Sequence, residues 1–217
     1  MLVHPWDAPR TEADGWEFVR AQGFGHLIAA GRGRDVAVVV PTQYVVAGDE
    51  CEARPDVVIH LAAANPIWRA IEENARVILA VAGDWAYIPA AWKALGDEDP
   101  TLGIPTTYYA AAQLTGDAVV VTEPDELLAL LHNQLREFEP DGGAADPVVH
   151  AQKLPAIRGL RLSVDEVRSK FKYGGNVDHE HRLSVASHLA DRSAPGDAEA
   201  LRHMQRAADP PRKLPSR

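Results

Sequence analysis

Apolar runs of strand length follow one another along this chain without the regular alternation of strand and helix that a parallel sheet needs, and this ordering constrains the fold most. FGHLIAA, from Phe24 to Ala30, and VAVVVPTQYVV, from Val36 to Val46, flank Gly31-Arg32-Gly33-Arg34 and read as a hairpin. The Gly-x-Gly there lacks the spacing of either nucleotide loop and sits between two strands, where such loops need a strand and a helix. DVVIHLA is a third strand. ARVILAVAG is a fourth whose continuous apolar run predicts burial on both faces, and DWAYIPAAWKAL adds a further strand with a short continuation. TTYYAAAQLTGDAVVV, from Thr106 to Val121, is one long strand with a bend at Gly116, and HAQKLPAIRGLRLSV gives a brief helical turn and a closing strand. Helices are predicted over Ala13–Ala21 with Gly23 as the stop, from Pro66, over Pro124–Glu139 and over Asp178–Asp191, with a frayed helix after Ala194-Pro195-Gly196-Asp197. DEVRSKFKYGGN reads as a short helix or turn. About six to eight sequential, mainly antiparallel strands with flanking helices make an α+β barrel.

Composition narrows the function. A chain of 217 residues, 46% hydrophobic, can bury one core, and its net charge of −9 opposes binding to a polyphosphate. No helix-turn-helix signature is present, so direct DNA binding is not expected. The single cysteine, Cys51, excludes an internal disulfide and a multi-cysteine metal site. With no signal peptide and no apolar stretch near the ~18 residues of a membrane span, a cytoplasmic protein is expected.

The segment HLAAANPIWRAIEEN, His60 to Asn74, carries the densest chemical signal. Asn65 can cap a helix that Pro66 begins, and Ile67, Trp68 and Ile71 share one face of it. Arg69 with Glu73 and Glu72 with Arg76 have ion-pair spacing. The first turn nevertheless carries Arg69 and no acid, against the helix dipole by roughly 0.3–1 kcal/mol. Either Arg69 only pairs with Glu73 at the surface, or an anion docks there on free N–H groups and the guanidinium.

Four further groups have two readings each. Trp68, Trp85, Tyr87, Trp92, Tyr108 and Tyr109 are six of the fourteen aromatic residues, enough to wall a planar cofactor or to fill a core and an interface. His60 can ligate haem iron, hydrogen-bond a flavin edge, or serve structurally with its ring N–H on a backbone carbonyl. Lys170 and Lys172 before Gly174-Gly175-Asn176 suit an anion-binding nest or an ordinary helix end. Asp178-His179-Glu180-His181 puts its histidines two apart, which diverge on a helix, so Asp178 is expected as a cap and no metal is expected. No Ser–His–Asp arrangement stands out, and the acids at 72–73 and 97–99 read as solvated charge.

Several of these pieces together resemble the PaiB-like family of FMN-binding negative transcriptional regulators, with the split-barrel fold of pyridoxamine-phosphate oxidases: His60-Leu61-Ala62 with Ala64-Asn65-Pro66 and Trp68-Arg69; Ala86-Tyr87-Ile88; Pro105-Thr106 with Tyr109 and Gly116; and Lys172 with Asn176. The resemblance extends over roughly residues 1 to 190. It implies a homodimeric split barrel over 1–160, a C-terminal helical extension over 161–207 packed on it and a disordered tail over 208–217. It also implies FMN bound between subunits by His60, Asn65, Trp68, Arg69, Tyr87, Tyr109, Lys172 and Asn176, the phosphate lying near Asn65–Arg69 and Lys172 and Asn176 serving the other subunit's flavin. Some members are haem proteins, including piperazate synthases, so haem on His60 is the alternative. A small-molecule ligand, oxidoreductase-type chemistry and an indirect regulatory role follow by the same resemblance. The chain departs from the family pattern at Val38 and Val39 (Thr-His), Thr107 and Tyr108 (Trp-Asn), Gln113 (His), and Gly174 and Gly175 (Ser-Gln). These departures change several polar pocket positions.

Overall fold

The computed structural model describes residues 1–48 and 55–206. Cys51 and the tail expected to be disordered lie outside these. Helix α1 (Glu12–Gln22) opens on a reciprocal cap: the Thr11 N–H donates to Asp14 Oδ2 at 3.0 Å and the Asp14 N–H to Thr11 Oγ1 at 3.3 Å. It closes at Gly23 (φ +58°), and the chain turns directly into β1 (Phe24–Ala29).

β1 pairs antiparallel with β2 (Val38–Gln43), His26 opposite Pro41, which is the expected hairpin. After Tyr44 alone comes β3 (Val45–Val46), which pairs with β4 (Val57–Ala62). Helix α2 (Ile67–Glu73) follows, then β5 (Arg76–Ile88), β6 (Thr106–Val121), helix α3 (Pro124–Phe138) and β7 (Ile157–Lys172). Helices α4 (His179–Arg192) and α5 (Asp197–Arg206) complete the described chain.

All seven strands belong to one sheet, ordered β2-β1-β5-β6-β7-β4-β3. Six strand spacings would set the edges roughly 29 Å apart in a flat sheet, whereas Tyr44 joins β2 to β3 across at most about 7 Å. The sheet must therefore curl until its edges meet at this residue. Tyr44 is fully buried and its hydroxyl donates to the Val19 carbonyl at 2.6 Å, tying the seam to α1.

Contacts divide the chain into two compact units, one of Trp16–Val81 with Gln113–Arg168, the other of Met1–Gly15, Ala82–Ala112 and the described residues of Ser169–Arg217. The first, here the barrel unit, has its core on the inward faces of the strands, with Leu27, Val57, Ile59, Leu79, Leu114, Leu160 and Leu162 fully buried. Each such side chain contributes roughly 1.5–3 kcal/mol. α3 packs Leu130 on Val45 and Val58, and Leu127 on Val121 and Leu154. In the second unit Tyr173 packs edge-on to Tyr108 and stacks on His203. There the Tyr173 hydroxyl donates to the Asp84 carbonyl at 2.7 Å, and the His203 ring meets the Asp84 carboxylate at 2.7 Å.

Four expectations are corrected. ARVILAVAG alternates buried with half-exposed residues instead of burying both faces, and DWAYI continues the same strand to Ile88 through Asp84 at φ 52°. DEVRSKFK is strand, not helix, because Asp165 receives a two-pronged Arg76 guanidinium from β5 and Asp165 and Glu166 stay exposed. Residues 161–172 consequently belong to β7, and the helical segment begins at His179. Gly116 is not a bend but a point of close approach within a continuous strand. Among the described residues, no helix is long and apolar enough to cross a membrane.

Candidate functional site

In the barrel unit the segment after β4 is held by its own polar groups. The Asn65 side chain accepts from the Ile67 N–H at 3.1 Å and the Trp68 N–H meets the Asn65 carbonyl at 3.3 Å, so these two amides of the helix entry have partners. Trp68 is 3% exposed, its indole N–H donates to the Ala62 carbonyl at 2.8 Å and the Arg158 guanidinium sits 6.0 Å from its ring centre. It anchors the segment and presents no open face.

Arg69 projects outward with 83% of its side chain exposed and meets one oxygen of Glu73 at 3.3 Å. Glu73 is already engaged: Arg34 Nε and Nη2 donate to its two oxygens at 2.8 and 2.9 Å, and the Arg32 N–H adds a third bond at 3.2 Å. Hydrogen bonds from Arg34, foremost, hold this carboxyl below the usual carboxylate range. Glu73 is thus satisfied without Arg69. The expected Glu72–Arg76 pair does not form: Glu72 takes Arg158 at 3.0 Å, and Arg76 is drawn to Asp165 and Asp117.

His60, near the end of β4, has its Nδ1 2.5 Å from the amide oxygen of Gln134, a buried residue of α3. With that oxygen as acceptor the ring is the Nδ1–H tautomer, and Nε2 carries the lone pair. Gln134 was missed by reading the sequence for a backbone partner. Its signal was a polar residue in register with Leu127 and Leu130 on the apolar face of α3.

The second unit holds the other four expected residues. Tyr87, half exposed on β5, gives its carbonyl to the Arg192 guanidinium at 2.9 Å. Lys170 and Lys172 alternate on β7 and their ammonium groups lie 5.8 and 5.9 Å from the Tyr109 ring centre. They stand on a strand and not at a helix end. Lys170 is nearly buried, with the Leu2 carbonyl at 3.1 Å and Asp7 at 3.6 Å. Lys172 Nζ donates to Thr106 Oγ1 at 2.6 Å.

Lys172 and Asn176 line a cavity of about 610 Å³ together with Lys93, Thr106, Tyr108 and His181. That volume suits a small molecule. The Tyr108 hydroxyl is buried and has no hydrogen-bond partner among the described residues. A Cβ at Gly174 would lie 2.4 Å from that hydroxyl, and Gly174 has φ +74°. The departures at 108 and 174 therefore meet at one place: the tyrosine hydroxyl occupies space that a side chain at 174 would need. The aromatic residues do not stack as one wall, since Trp92 stacks on His188 and under Arg192 while Trp85 is exposed. Asp178 caps α4, accepting from the His181 N–H at 3.0 Å, as expected of that motif.

The curled antiparallel sheet with flanking helices defines an α+β split-barrel protein. Residues 3–166 match the family described as "Putative FMN-binding domain", and the chain belongs to that family. Protease synthase and sporulation protein PAI 2 of Bacillus subtilis is 24% identical over 196 residues, covering 88% of this chain and 89% of that protein. The flavocytochrome Anf3 of Azotobacter vinelandii has a similar fold (TM-score 0.60, 19% identity, 82% of this chain and 75% of that one). So does an FAD and heme binding protein of Mycobacterium smegmatis (TM-score 0.57, 18% identity, 81% of this chain and 78% of that one). Six of the eight expected site residues fall inside the matched span, and Lys172 and Asn176 fall beyond it.

Proposed function

We propose that the chain binds FMN, with Arg69 on the flavin phosphate and Asn65 and Trp68 fixing the segment that carries it. The observation behind this reading is the guanidinium of Arg69, outward-facing and sharing a carboxylate that Arg34 already binds through both oxygens. Membership of the FMN-binding family supports it. A bound flavin would supply hydride or electron transfer, and the side chains hold and orient it. A cytoplasmic homodimer belongs to the proposal, with Lys172 and Asn176 contributed to the flavin of the other subunit. Regulation of transcription enters it only as an indirect role, since a net charge of −9 opposes contact with a nucleic-acid backbone.

Titration of flavin-free protein with FMN, followed by flavin fluorescence, tests the assignment. Arg69→Ala is expected to weaken binding by about 1–3 kcal/mol while leaving riboflavin, which lacks the phosphate, unaffected. Unchanged FMN affinity would remove Arg69 from the site.

One observation favours haem as the second reading. Gln134 holds His60 Nδ1, which leaves the Nε2 lone pair as a donor to iron, the usual outer-partner arrangement of a ligating histidine. If haem binds, added haemin gives a Soret band that His60→Ala abolishes and Arg69→Ala retains. A band that survives in His60→Ala would exclude His60 as the ligand.

A further inference from the structure

Gly31-Arg32-Gly33-Arg34, which fits neither nucleotide loop, has a different task in the folded barrel unit. Glu73 is the last residue of α2, where the negative end of the helix dipole disfavours an acid, and no basic residue of the last turn offsets it. The compensation comes from the loop between β1 and β2. Arg34, 39 residues away in sequence, donates from Nε and Nη2 to the two carboxylate oxygens at 2.8 and 2.9 Å, and the Arg32 N–H adds its bond at 3.2 Å. Gly31 lets the loop come this close: its φ is +66°, and a Cβ there would lie 2.5 Å from Arg34 Nε and 2.6 Å from Glu73 Oε2.

This clasp decides how much of Glu73 is left for Arg69. A guanidinium one helical turn from a carboxylate would otherwise be its principal partner, held by two parallel hydrogen bonds. Here Oε1, which Arg69 approaches with its Nε at 3.3 Å, already accepts from Arg34 Nη2. The outcome is visible in the exposures: 26% of the Arg34 side chain is exposed against 83% for Arg69. Ile67, Trp68, Ala70 and Ile71 bury the opposite face of α2, so the helix cannot roll to bring Arg69 closer.

We propose that Arg34 is a positioning residue: by filling both oxygens of Glu73 it keeps the Arg69 guanidinium free for the flavin phosphate, and it does not itself touch the flavin. This role rests on the FMN reading of Arg69 and supplies its cause. The glycine and arginine alternation of the hairpin loop thus serves the phosphate through Glu73. A lysine at position 34 would not do the same, because a single ammonium lacks the planar fork that spans two oxygens and would leave one of them to Arg69.

FMN titrations followed by flavin fluorescence, with riboflavin as the control, test this role. Arg34→Ala is expected to weaken FMN binding about fivefold or more and to leave riboflavin unaffected. Removing the acid as well, in Arg34→Ala/Glu73→Gln, restores FMN affinity to within about twofold of wild type, a rescue that a damaged fold would not give. In an Arg69→Ala background Arg34→Ala has no further effect, which separates positioning from the mere loss of a positive charge. FMN bound as tightly by Arg34→Ala as by wild type, or weakened equally with and without Arg69, overturns the role. Modification of Arg69 by phenylglyoxal in flavin-free protein, followed by peptide mass spectrometry, reads the same positioning without a ligand. Its rate should fall about threefold or more in Arg34→Ala and recover in the double variant, and an unchanged rate in Arg34→Ala likewise overturns the role. Failure of the FMN reading is recognised separately: FMN affinity is then indifferent to Arg69→Ala while the modification rate still responds to Arg34→Ala.

Discussion

Replacing Gly116 with alanine is expected to destabilise the protein by about 3–5 kcal/mol, the sum of overpacking and a damaged strand ladder. The added Cβ would lie 2.0 Å from the Ser163 carbonyl oxygen, 2.8 Å from its carbon and 3.0 Å from Leu162 Cδ1. Backbone cannot turn aside as a flexible side chain does, so β6 and β7 must separate locally. The strain falls in the middle of the longest strands of the sheet, where neighbours on both sides hold them. At roughly 2–4 °C per kcal/mol for a chain of this size, the thermal midpoint should drop by about 10 °C. Circular dichroism melts of wild type and Gly116→Ala measure it; a shift of a degree or two would mean that the strands do not approach so closely.

Asp197→Ala should cost about 2–4 kcal/mol. The carboxylate is 1% exposed and binds Arg192 through both oxygens, at 2.6 and 2.9 Å, and the Ala194 N–H at 2.8 Å. One side chain thereby fixes the end of α4, the turn and the start of α5. Arg192 keeps part of its value without it, because its guanidinium also donates to Tyr87 and lies 4.5 Å from the Trp92 ring centre, and its 30% exposure lets water replace the lost partner. That is why the cost is set below the upper limit for a buried pair. The Arg192 hydrogen bonds lower the pKa of Asp197, so its stabilisation is complete above the unfolded carboxylate value of about 3.9 and is lost as pH falls through the lower folded value. Wild type should therefore lose stability below about pH 4 more steeply than Asp197→Asn in chemical denaturation. Parallel acid limbs in the two proteins would dismiss the linkage.

Where local pattern and tertiary context agree, the sequence is explicit. Thr106–Val121 reads as strand from its β-formers, Glu123-Pro124 marks the entry to α3, and the Asp178 cap is found where it was expected. β7 is different. Asp165, Glu166, Arg168 and Lys170 suggest a polar helix to any local reading, because what makes the charges tolerable in a strand is Arg76, 89 residues away, and Asp7 at the other end of the chain. β5 runs through Asp84 at a positive φ, with its carboxylate against His203 of α5. The candidate sites divide along the same line. The Asn65 side chain at the helix entry, on the Ile67 N–H, and the outward Arg69 were legible as properties of a few neighbouring residues, although the helix itself begins at Ile67 and not at Pro66. The claim of Arg34 on Glu73, the Gln134 partner of His60 and the meeting of Tyr108 with Gly174 depend on residues brought together by the fold.

The edge strands have a consequence for association. β2 carries Pro41, which offers no amide hydrogen to a newcomer, and β3 is two residues long, too short to template another strand. Both ends of the sheet are thus poor seeds for backbone pairing between molecules. A second copy of this chain would have to recognise it through side-chain surfaces, which can be tuned residue by residue, and the same arrangement protects the protein from runaway strand stacking at high concentration.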